Sequence, residues 1–224
     1  MKEEDINIQF GLTTHLSDAV TFWELGKRTI TTAPQHWEFF KRLEKDTKLG
    51  IAKSNEILCA YRTAFQKVLK TGTAVSYDPL ELGGKVIPDI YCPDSKSKEI
   101  QLVKIPVYDI SPENGSKINT SELRLLGLED AISSKEGLSL LRAVLDFADN
   151  EDIIGTLDYI TGCKGSYFIH TLNEEERKDR HGSSITVNFR YGNLSSDVPS
   201  FIIDLGNPQI NPYGKTTGSF RERI

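Results

Sequence analysis

TAPQHWEFFKRLEKDTKLGIAKSNEILCAYRTAFQKVLK, residues 32–70, has its apolar residues at helical spacing. They recur at steps of three and four with Lys and Glu between them, as in helices with one buried face. Thr32 before Pro34 is a helix-start signal, because proline fits the first turn without losing a needed hydrogen bond. Gly50 predicts a kink or a split. The apolar positions are Trp37, Phe40, Leu43, Ile57, Leu58, Tyr61, Phe65, Val68 and Leu69.

This apolar stripe predicts packing of the helices on each other or on a sheet. A dimer seam is the alternative, but the stripe is not a sustained heptad, which favours packing within the chain. Trp23 and Trp37 are interpreted as core anchors. Before this segment, Ser17 predicts the N-cap of another helix, and the alternation around residues 6–10 suits a short strand or an ordered arm.

The composition changes after Lys70. TGTAVSYDPLELGG (71–84) is rich in turn formers and predicts a boundary. KVIPDIYC (85–92) and EIQLVKIPVYDI (99–110) then predict two strands joined by a polar turn, Pro93 to Lys98. Pro88 and Pro106 indicate an edge position or bulges, because proline cannot donate to a strand ladder.

The second half predicts two helices and three strands. One helix runs through SELRLLGLEDAI (121–132), and the next begins after Ser133 or Ser134. The strands are GSYFIHTL (165–172), SSITVNFRY (183–191), whose Thr186, Asn188 and Arg190 predict a wet face, and PSFIIDLG (199–206).

These elements predict an α+β fold, in which a helical N-terminal third packs with a mixed, largely antiparallel sheet and two further helices. The predicted units are a helical subdomain (1–72), an α+β subdomain (73–210) and a C-terminal arm or tail (211–224). The tail has little periodicity.

Composition limits the functional classes. The chain has 224 residues, a formal net charge of −5 and a pI near 5.5, so it offers no general attraction to phosphate backbones or anionic lipid. No apolar run reaches the roughly 18 residues of a membrane span. The acidic start, MKEEDINIQFG, is unlike a signal peptide. We therefore expect a cytoplasmic or otherwise intracellular protein.

The cysteines predict neither disulfides nor a metal site. Cys59, Cys92 and Cys163 are odd in number, far apart and in no CxxC motif, which is typical of reduced thiols. Each is interpreted as a small buried hydrophobe.

The predicted hairpin offers one arrangement with enzymatic potential. Asp89 on one strand, with Glu99 and Lys104 on the next, partly resembles the PD-(D/E)xK pattern of Mg²⁺-dependent nucleases. That pattern needs one residue between acid and lysine, whereas these two are five positions apart and would face opposite sides of a regular strand. A charged, soluble sheet edge is the stronger interpretation.

Other motifs are weaker still. Gly214-Lys215-Thr216 lacks the upstream glycine of a phosphate-binding loop. His170, on a predicted strand, could pair with an acid as a general base, but no nucleophile motif accompanies it, and a structural histidine is favoured. The basic run at residues 177–180 adjoins Glu174–Glu176, which largely cancels its charge.

The leading hypothesis is therefore a non-catalytic protein-interaction or assembly protein, including self-association, without a cofactor or metal. Its partner is a protein, contacted by the tail through Tyr213, Phe220, Arg221 and Arg223. The alternative is a divalent-metal-dependent nuclease, with Mg²⁺ and a nucleic-acid substrate.

Overall fold

The computed structural model describes nine ranges of the chain. They are residues 9–12, 28–78, 83–87, 101–104, 125–148, 151–172, 184–192, 199–206 and 215–220. For residues 9–12, 28–29, 78, 83, 101–104, 125–126 and 215–220 only the backbone is described.

The described residues form five helices and ten strands, which confirms the α+β class. The helices are α1 (Ala33–Lys48), α2 (Ala52–Phe65), α3 (Leu128–Ser133), α4 (Lys135–Leu145) and α5 (Ile153–Thr161). The strands are β1 (Gln9–Leu12), β2 (Arg28–Ile30), β3 (Leu69–Asp78), β4 (Gly83–Ile87), β5 (Gln101–Lys104), β6 (Leu125–Gly127), β7 (Tyr167–His170), β8 (Ser184–Gly192), β9 (Ser200–Asp204) and β10 (Lys215–Phe220).

Helix α1 begins where the sequence predicts. The Thr32 hydroxyl accepts a hydrogen bond from the Gln35 amide at 3.4 Å, and the Gln35 side chain accepts one from the Thr32 amide at 2.9 Å. This reciprocal capping box, with Pro34 in the first turn, satisfies amides that the helix cannot pair internally. Gly50 adopts φ +78° and separates α1 from α2, so the predicted split is confirmed.

The strands form one mixed, largely antiparallel sheet, as predicted. Its main path runs β1-β10-β3-β8-β9-β7-β6, while β2 also pairs with β10, and β4 pairs with β3 and β5. Among the described strands, β10 with β3 and β7 with β9 are the parallel pairs. The sheet contains strands from all three predicted units, and the division into units stays a prediction.

Helices α1 and α2 pack on one face of this sheet through aromatic rings. Phe40 of α1 lies edge-on to Tyr61 and Phe65 of α2, with ring centroids 5.1 and 6.0 Å apart. It also contacts Phe189 of β8 at 5.9 Å, and Phe65 contacts Phe201 of β9 at 5.0 Å. The N-terminal helices therefore bury their apolar stripe within the chain, as expected.

Strand β3 is the largest correction to the sequence prediction. Residues 71–84 were expected to form a turn-rich boundary, yet Leu69–Asp78 is a ten-residue strand paired with β4, β8 and β10. Val68, predicted as helical, takes φ +70° and turns the chain from α2 into this strand. Thr71, Thr73, Val75 and Tyr77 favour a strand while Gly72 and Asp78 favour a turn, and pairing with three neighbouring strands decides between these local signals.

The predicted helix over 121–132 is also wrong in part. Its described residues form β6, which pairs with β7, followed by the short helix α3. Helix α4 begins as expected, with the Ser134 hydroxyl accepting from the Gly137 amide at 3.0 Å. Helix α5 was not predicted, and its N-cap is Asp152, whose carboxylate accepts a hydrogen bond from the Gly155 amide at 2.8 Å. The described residues thus contain three helices after α2, where two were predicted.

The hairpin prediction is confirmed by the antiparallel pairing of β4 with β5. The turn at Pro93 to Lys98 and the prolines at 88 and 106 lie outside the described residues. Residues 215–220, where the sequence shows little periodicity, form β10 and pair with β1, β2 and β3.

The isolated predictions for tryptophan and cysteine have mixed outcomes. Trp37 is buried, as expected, and so is Cys163, but Cys59 is exposed on α2. Trp23 and Cys92 lie outside the described residues.

Within the described ranges, no helix combines the length and the apolar character needed to cross a bilayer. The intracellular location stays a prediction.

Candidate functional site

A buried histidine and a buried aspartate meet where two parallel strands end. His170 is the last residue of β7 and Asp204 is the last residue of β9, and the strand register places them side by side. His170 Nδ1 donates a hydrogen bond to Asp204 Oδ1 at 2.9 Å. The carboxyl ends of neighbouring parallel strands are a common place for ligand sites in open sheets.

Strand β8 adds an arginine to this pair. Arg190 Nε donates to Asp204 Oδ2 at 2.7 Å, and the Gly206 amide donates to Oδ1 at 3.1 Å. The Asp204 side chain is 0% exposed, against 8% for His170 and 23% for Arg190. Both carboxylate oxygens are thus engaged, and the arginine connects the buried acid to the surface.

The electrostatics of this arrangement keep Asp204 ionised. Burial raises the pKa of its carboxyl, but the hydrogen bond and charge of His170 and the charge and hydrogen bond of Arg190 outweigh burial and lower it. An ionised carboxylate can only accept hydrogen bonds, so the shared proton lies on His170 Nδ1. In the neutral imidazole the other nitrogen, Nε2, is then a hydrogen-bond acceptor.

That second nitrogen is buried and has no hydrogen-bond partner among the described residues. The same holds for Oδ1 of Asn188, the β8 residue in register with Asp204. Asn188 Nδ2 donates to the Thr186 carbonyl at 3.0 Å, which fixes the amide orientation because a carbonyl cannot donate. Two buried polar atoms, His170 Nε2 and Asn188 Oδ1, therefore flank Asp204 without a partner among the described residues, and each costs about 1–3 kcal/mol if left unsatisfied.

Lys70 extends the row on strand β3. It is in register with Asn188, so the two side chains lie on the same face of the sheet. Burial lowers the pKa of the Lys70 ammonium. The five residues His170, Asp204, Arg190, Asn188 and Lys70 are called the His170 cluster below.

The cluster occupies the sheet face opposite α1 and α2. Phe189 of β8 points toward the helices, and its sequence neighbours Asn188 and Arg190 point the other way because side chains alternate along a strand. The predicted wet face of β8 is wrong for Asn188, which is 3% exposed. Thr186 and Arg190 on the same face are partly exposed, so this face is buried at Asn188 and reaches solvent on either side of it.

A glycine makes room for the histidine ring. A Cβ on Gly206 would lie 2.9 Å from the Thr171 carbonyl carbon and 3.3 Å from His170 Cε1. Both distances are shorter than ordinary van der Waals contact, so only glycine lets the chain after β9 pass this close to the ring. The ring edge next to Nε2 is therefore held against backbone.

His36 provides a contrasting buried histidine. Its Nδ1 and the Tyr61 hydroxyl share a hydrogen bond of 3.0 Å among the aromatic rings of the core. Burial lowers its pKa to about 3, so it stays neutral at ordinary pH. Because its ring lies among Phe40, Tyr61 and Phe189, we interpret His36 as a core residue.

No family model, curated protein or solved structure matches this chain.

The residues of the nuclease hypothesis are not brought together in the described part of the chain. Asp89 and Glu99 lie outside it, and Lys104 is seen only as backbone, at the end of β5 opposite Gly83. No group of three His, Cys, Asp or Glu residues that could hold a metal ion occurs among the described residues. Metal-dependent cleavage at these positions stays a prediction.

The tail residues are only partly described. Phe220 ends β10 opposite Arg28 of β2, with backbone alone defined. Tyr213, Arg221 and Arg223 lie outside the described residues, so their role in binding a protein stays a prediction.

Sequence reasoning found one member of the cluster, His170, and missed its partners. The sequence does contain a signal for Asp204, because an aspartate at the end of the apolar strand SFIID is expected to be buried and therefore to need a charged or hydrogen-bonding partner. The alternation that predicted a wet face in β8 already placed Asn188 and Arg190 on one side. Their convergence depends on β8 lying beside β9, which residue patterns do not reveal.

Proposed function

We propose that this protein binds a small, hydroxyl-bearing anion at the His170 cluster. The observation that carries the proposal is the buried Nε2 of a histidine whose other nitrogen is held by an ionised aspartate, because this Nε2 has no hydrogen-bond partner among the described residues. A ligand hydroxyl, which both donates and accepts hydrogen bonds, can pair with this nitrogen whether or not it carries a proton.

The acceptor pattern supports a hydroxyl rather than a purely anionic ligand. Asn188 Oδ1 only accepts hydrogen bonds, and an anion without hydrogens has nothing to donate to it. A ligand with hydroxyl groups satisfies buried acceptors that otherwise cost free energy.

The charges support an anionic group on the same ligand. Arg190 and Lys70 contribute two positive charges against the single carboxylate of Asp204. Among the described residues the bond from Arg190 to Asp204 uses Nε, which leaves the terminal amino groups as donors at the partly exposed end of the side chain. Guanidinium groups of this kind suit phosphate and carboxylate geometry.

Binding is tested with ribose 5-phosphate as the probe, against ribose alone and inorganic phosphate alone. We expect ribose 5-phosphate to bind at least about tenfold more tightly than either fragment, since each fragment satisfies only half of the site. The readout is the ¹⁵N chemical shift of the histidine side chains during titration. His170 Nε2 should shift, and His36 should not.

Two matched variants localise the effect. Asn188→Leu removes one of the flanking acceptors, and Arg190→Gln removes one of the cations. Both should weaken binding, whereas Lys53→Gln, on the exposed start of α2, should not. The proposal is wrong if no probe shifts the His170 signals, or if His36 shifts equally.

A further inference from the structure

We propose that a cleft on the helix side of the sheet binds a small carboxylic acid with an apolar body, and that Arg62 of α2 holds its carboxylate. The cleft has a volume of about 510 Å³, within the range of pockets that hold small ligands. It lies where the ends of α2, α5 and β8 meet. Its lining residues are Arg62, Gln66, Thr161, Tyr191, Gly192 and Pro199.

This cleft is separate from the His170 cluster. Tyr191 of β8 contacts Phe65 of α2, so its side chain lies on the face of the sheet that the helices cover. Its neighbour Arg190 lies on the opposite face with Asp204, because side chains alternate along a strand. The inference therefore does not depend on the proposed function of the cluster.

One edge of the Arg62 guanidinium is fixed by the end of α5. Nε donates to the Ile160 carbonyl at 2.9 Å, and Nη2 donates to the Tyr159 carbonyl at 2.8 Å. Both carbonyls belong to the last turn of α5, where a helix has no partners of its own to offer. The guanidinium is thus oriented before a ligand arrives, which reduces the entropy lost on binding.

The other edge of the guanidinium carries donors that no described residue accepts. The two bonds to α5 use the Nε hydrogen and one Nη2 hydrogen, which leaves both Nη1 hydrogens and the second Nη2 hydrogen. Within the described ranges Arg62 forms no ion pair, and it is the one charged residue among those that line the cleft. Adjacent N–H groups on Nη1 and Nη2 match the two oxygens of a carboxylate.

The surroundings of Arg62 favour a ligand with a single negative charge. The C-terminal end of α5 carries a partial negative charge, which offsets part of the positive charge of the arginine. Burial raises the pKa of Tyr191 to about 12, so its hydroxyl stays protonated at ordinary pH and donates to the Thr161 carbonyl at 2.8 Å. A monocarboxylate therefore balances the remaining charge.

Tyr191 and Pro199 supply the apolar wall of the cleft. The Tyr191 ring makes T-shaped contacts with Phe65 and Phe201, with centroids 5.6 and 6.4 Å apart, and its hydroxyl is held by α5. Pro199 is exposed beside it. Covering this rigid apolar surface favours a ligand whose carboxylate is attached to an apolar body.

Binding is tested by titrating the full chain with 3-phenylpropionate. The comparison compounds are 3-phenylpropan-1-ol, which lacks the charge, and acetate, which lacks the apolar body. We expect the acid to bind at least about tenfold more tightly than either compound. The readout is the ¹H–¹⁵N signal of Arg62 Nε, which should shift with the acid because Nε belongs to the guanidinium that pairs with it.

Three variants locate the site. Arg62→Gln removes the cation and should weaken binding of the acid by about tenfold or more. Because it also removes bonds to α5 and should lower stability, Gln66→Trp provides a second test. Gln66 is exposed, and a larger ring at this position should block the cleft while Arg62 stays in place. Lys67→Gln removes an exposed cation next in sequence and should leave binding unchanged.

Four results would overturn the proposal. The first is an Arg62 signal that does not move at about 10 mM acid, which would leave Arg62 with a structural role at the end of α5. The second is equal binding of the alcohol, which would exclude recognition of the charge. The third is a Lys67→Gln variant that binds as weakly as Arg62→Gln, and the fourth is undiminished binding by Gln66→Trp, which would place the ligand elsewhere.

Discussion

Asp204 is the member of the His170 cluster whose replacement we expect to lower the free energy of unfolding most. It is a fully buried carboxylate that two side chains and one backbone amide satisfy together. A buried ion pair adds little net stability while intact, but removing one partner leaves an uncompensated polar group.

Asp204→Asn tests this dependence. The substitution preserves shape but removes the charge that His170 and Arg190 face, so we expect the free energy of unfolding to fall by about 3 kcal/mol. Denaturant unfolding at neutral pH measures the loss. Glu38→Gln removes the acid of an exposed ion pair with Lys41 and should change stability by less than about 0.5 kcal/mol. Equal effects of the two variants would contradict the argument.

At the level of the element, α1 shows how local sequence sets a boundary. The capping box of Thr32 and Gln35 satisfies amides of the first turn, and Pro34 supplies the backbone angle without needing a hydrogen bond. The Ala33 amide donates instead to the Thr73 hydroxyl at 2.9 Å, so the helix start is also tied to β3.

Thr32→Ala measures the contribution of this cap. It removes the hydroxyl that accepts from Gln35, and we expect a loss of about 1 kcal/mol in the free energy of unfolding. Thr63→Ala is the matched control, because in the described part of the chain that hydroxyl bonds only back to the Cys59 carbonyl within α2. The control should be neutral or slightly stabilising, since alanine is the better helix former. A Thr32 variant as stable as the control would show that the cap contributes nothing.

At the scale of the whole molecule, the burial of His36 makes the free energy of unfolding depend on pH. Its pKa is lowered to about 3 by burial, against 6.5 in an unfolded chain, so the unfolded state binds the extra proton between these values. Stability from the neutral histidine is complete above the unfolded pKa and is lost as pH falls below it. The slope is about 1.4 kcal/mol per pH unit within the window.

Comparing the parent chain with a His36→Leu variant isolates the contribution of His36 to the pH dependence of stability. Carboxylates that titrate in the same range contribute to both proteins, so the difference in slope between them reports His36. We expect the variant to lose less stability than the parent from about pH 6 to about pH 4. Parallel stability curves would show that His36 is not held neutral by the core.

The predicted assembly role also belongs to the whole molecule. Because β10 pairs with three strands, deleting residues 211–224 would remove part of the sheet together with the tail. Arg221→Glu with Arg223→Glu reverses the tail charges and leaves β10 in place. If the tail mediates self-association, light scattering should give an oligomer for the parent and a smaller mass for this double variant. An unchanged mass would exclude these arginines as the contact.

The sequence by itself determined the features that depend on residues close together in the chain. Local spacing and backbone preference predict several helix boundaries and strands. These are the capping box at Thr32, the split at Gly50, the start of α4 at Ser134 and the strands around Phe168, Val187 and Ile202. The α+β class follows from these elements.

Only the tertiary structure decided where β3 lies and what surrounds His170. The ten residues of β3 mix strand formers with turn formers, and they become a strand because flanking strands supply their hydrogen bonds. The His170 cluster forms only when β3, β7, β8 and β9 pair in the observed registers, which bring together residues 70, 170, 188, 190 and 204. Strand order is fixed by long-range packing and hydrogen bonding, and a register shift of one residue would turn the same side chains to the other face of the sheet.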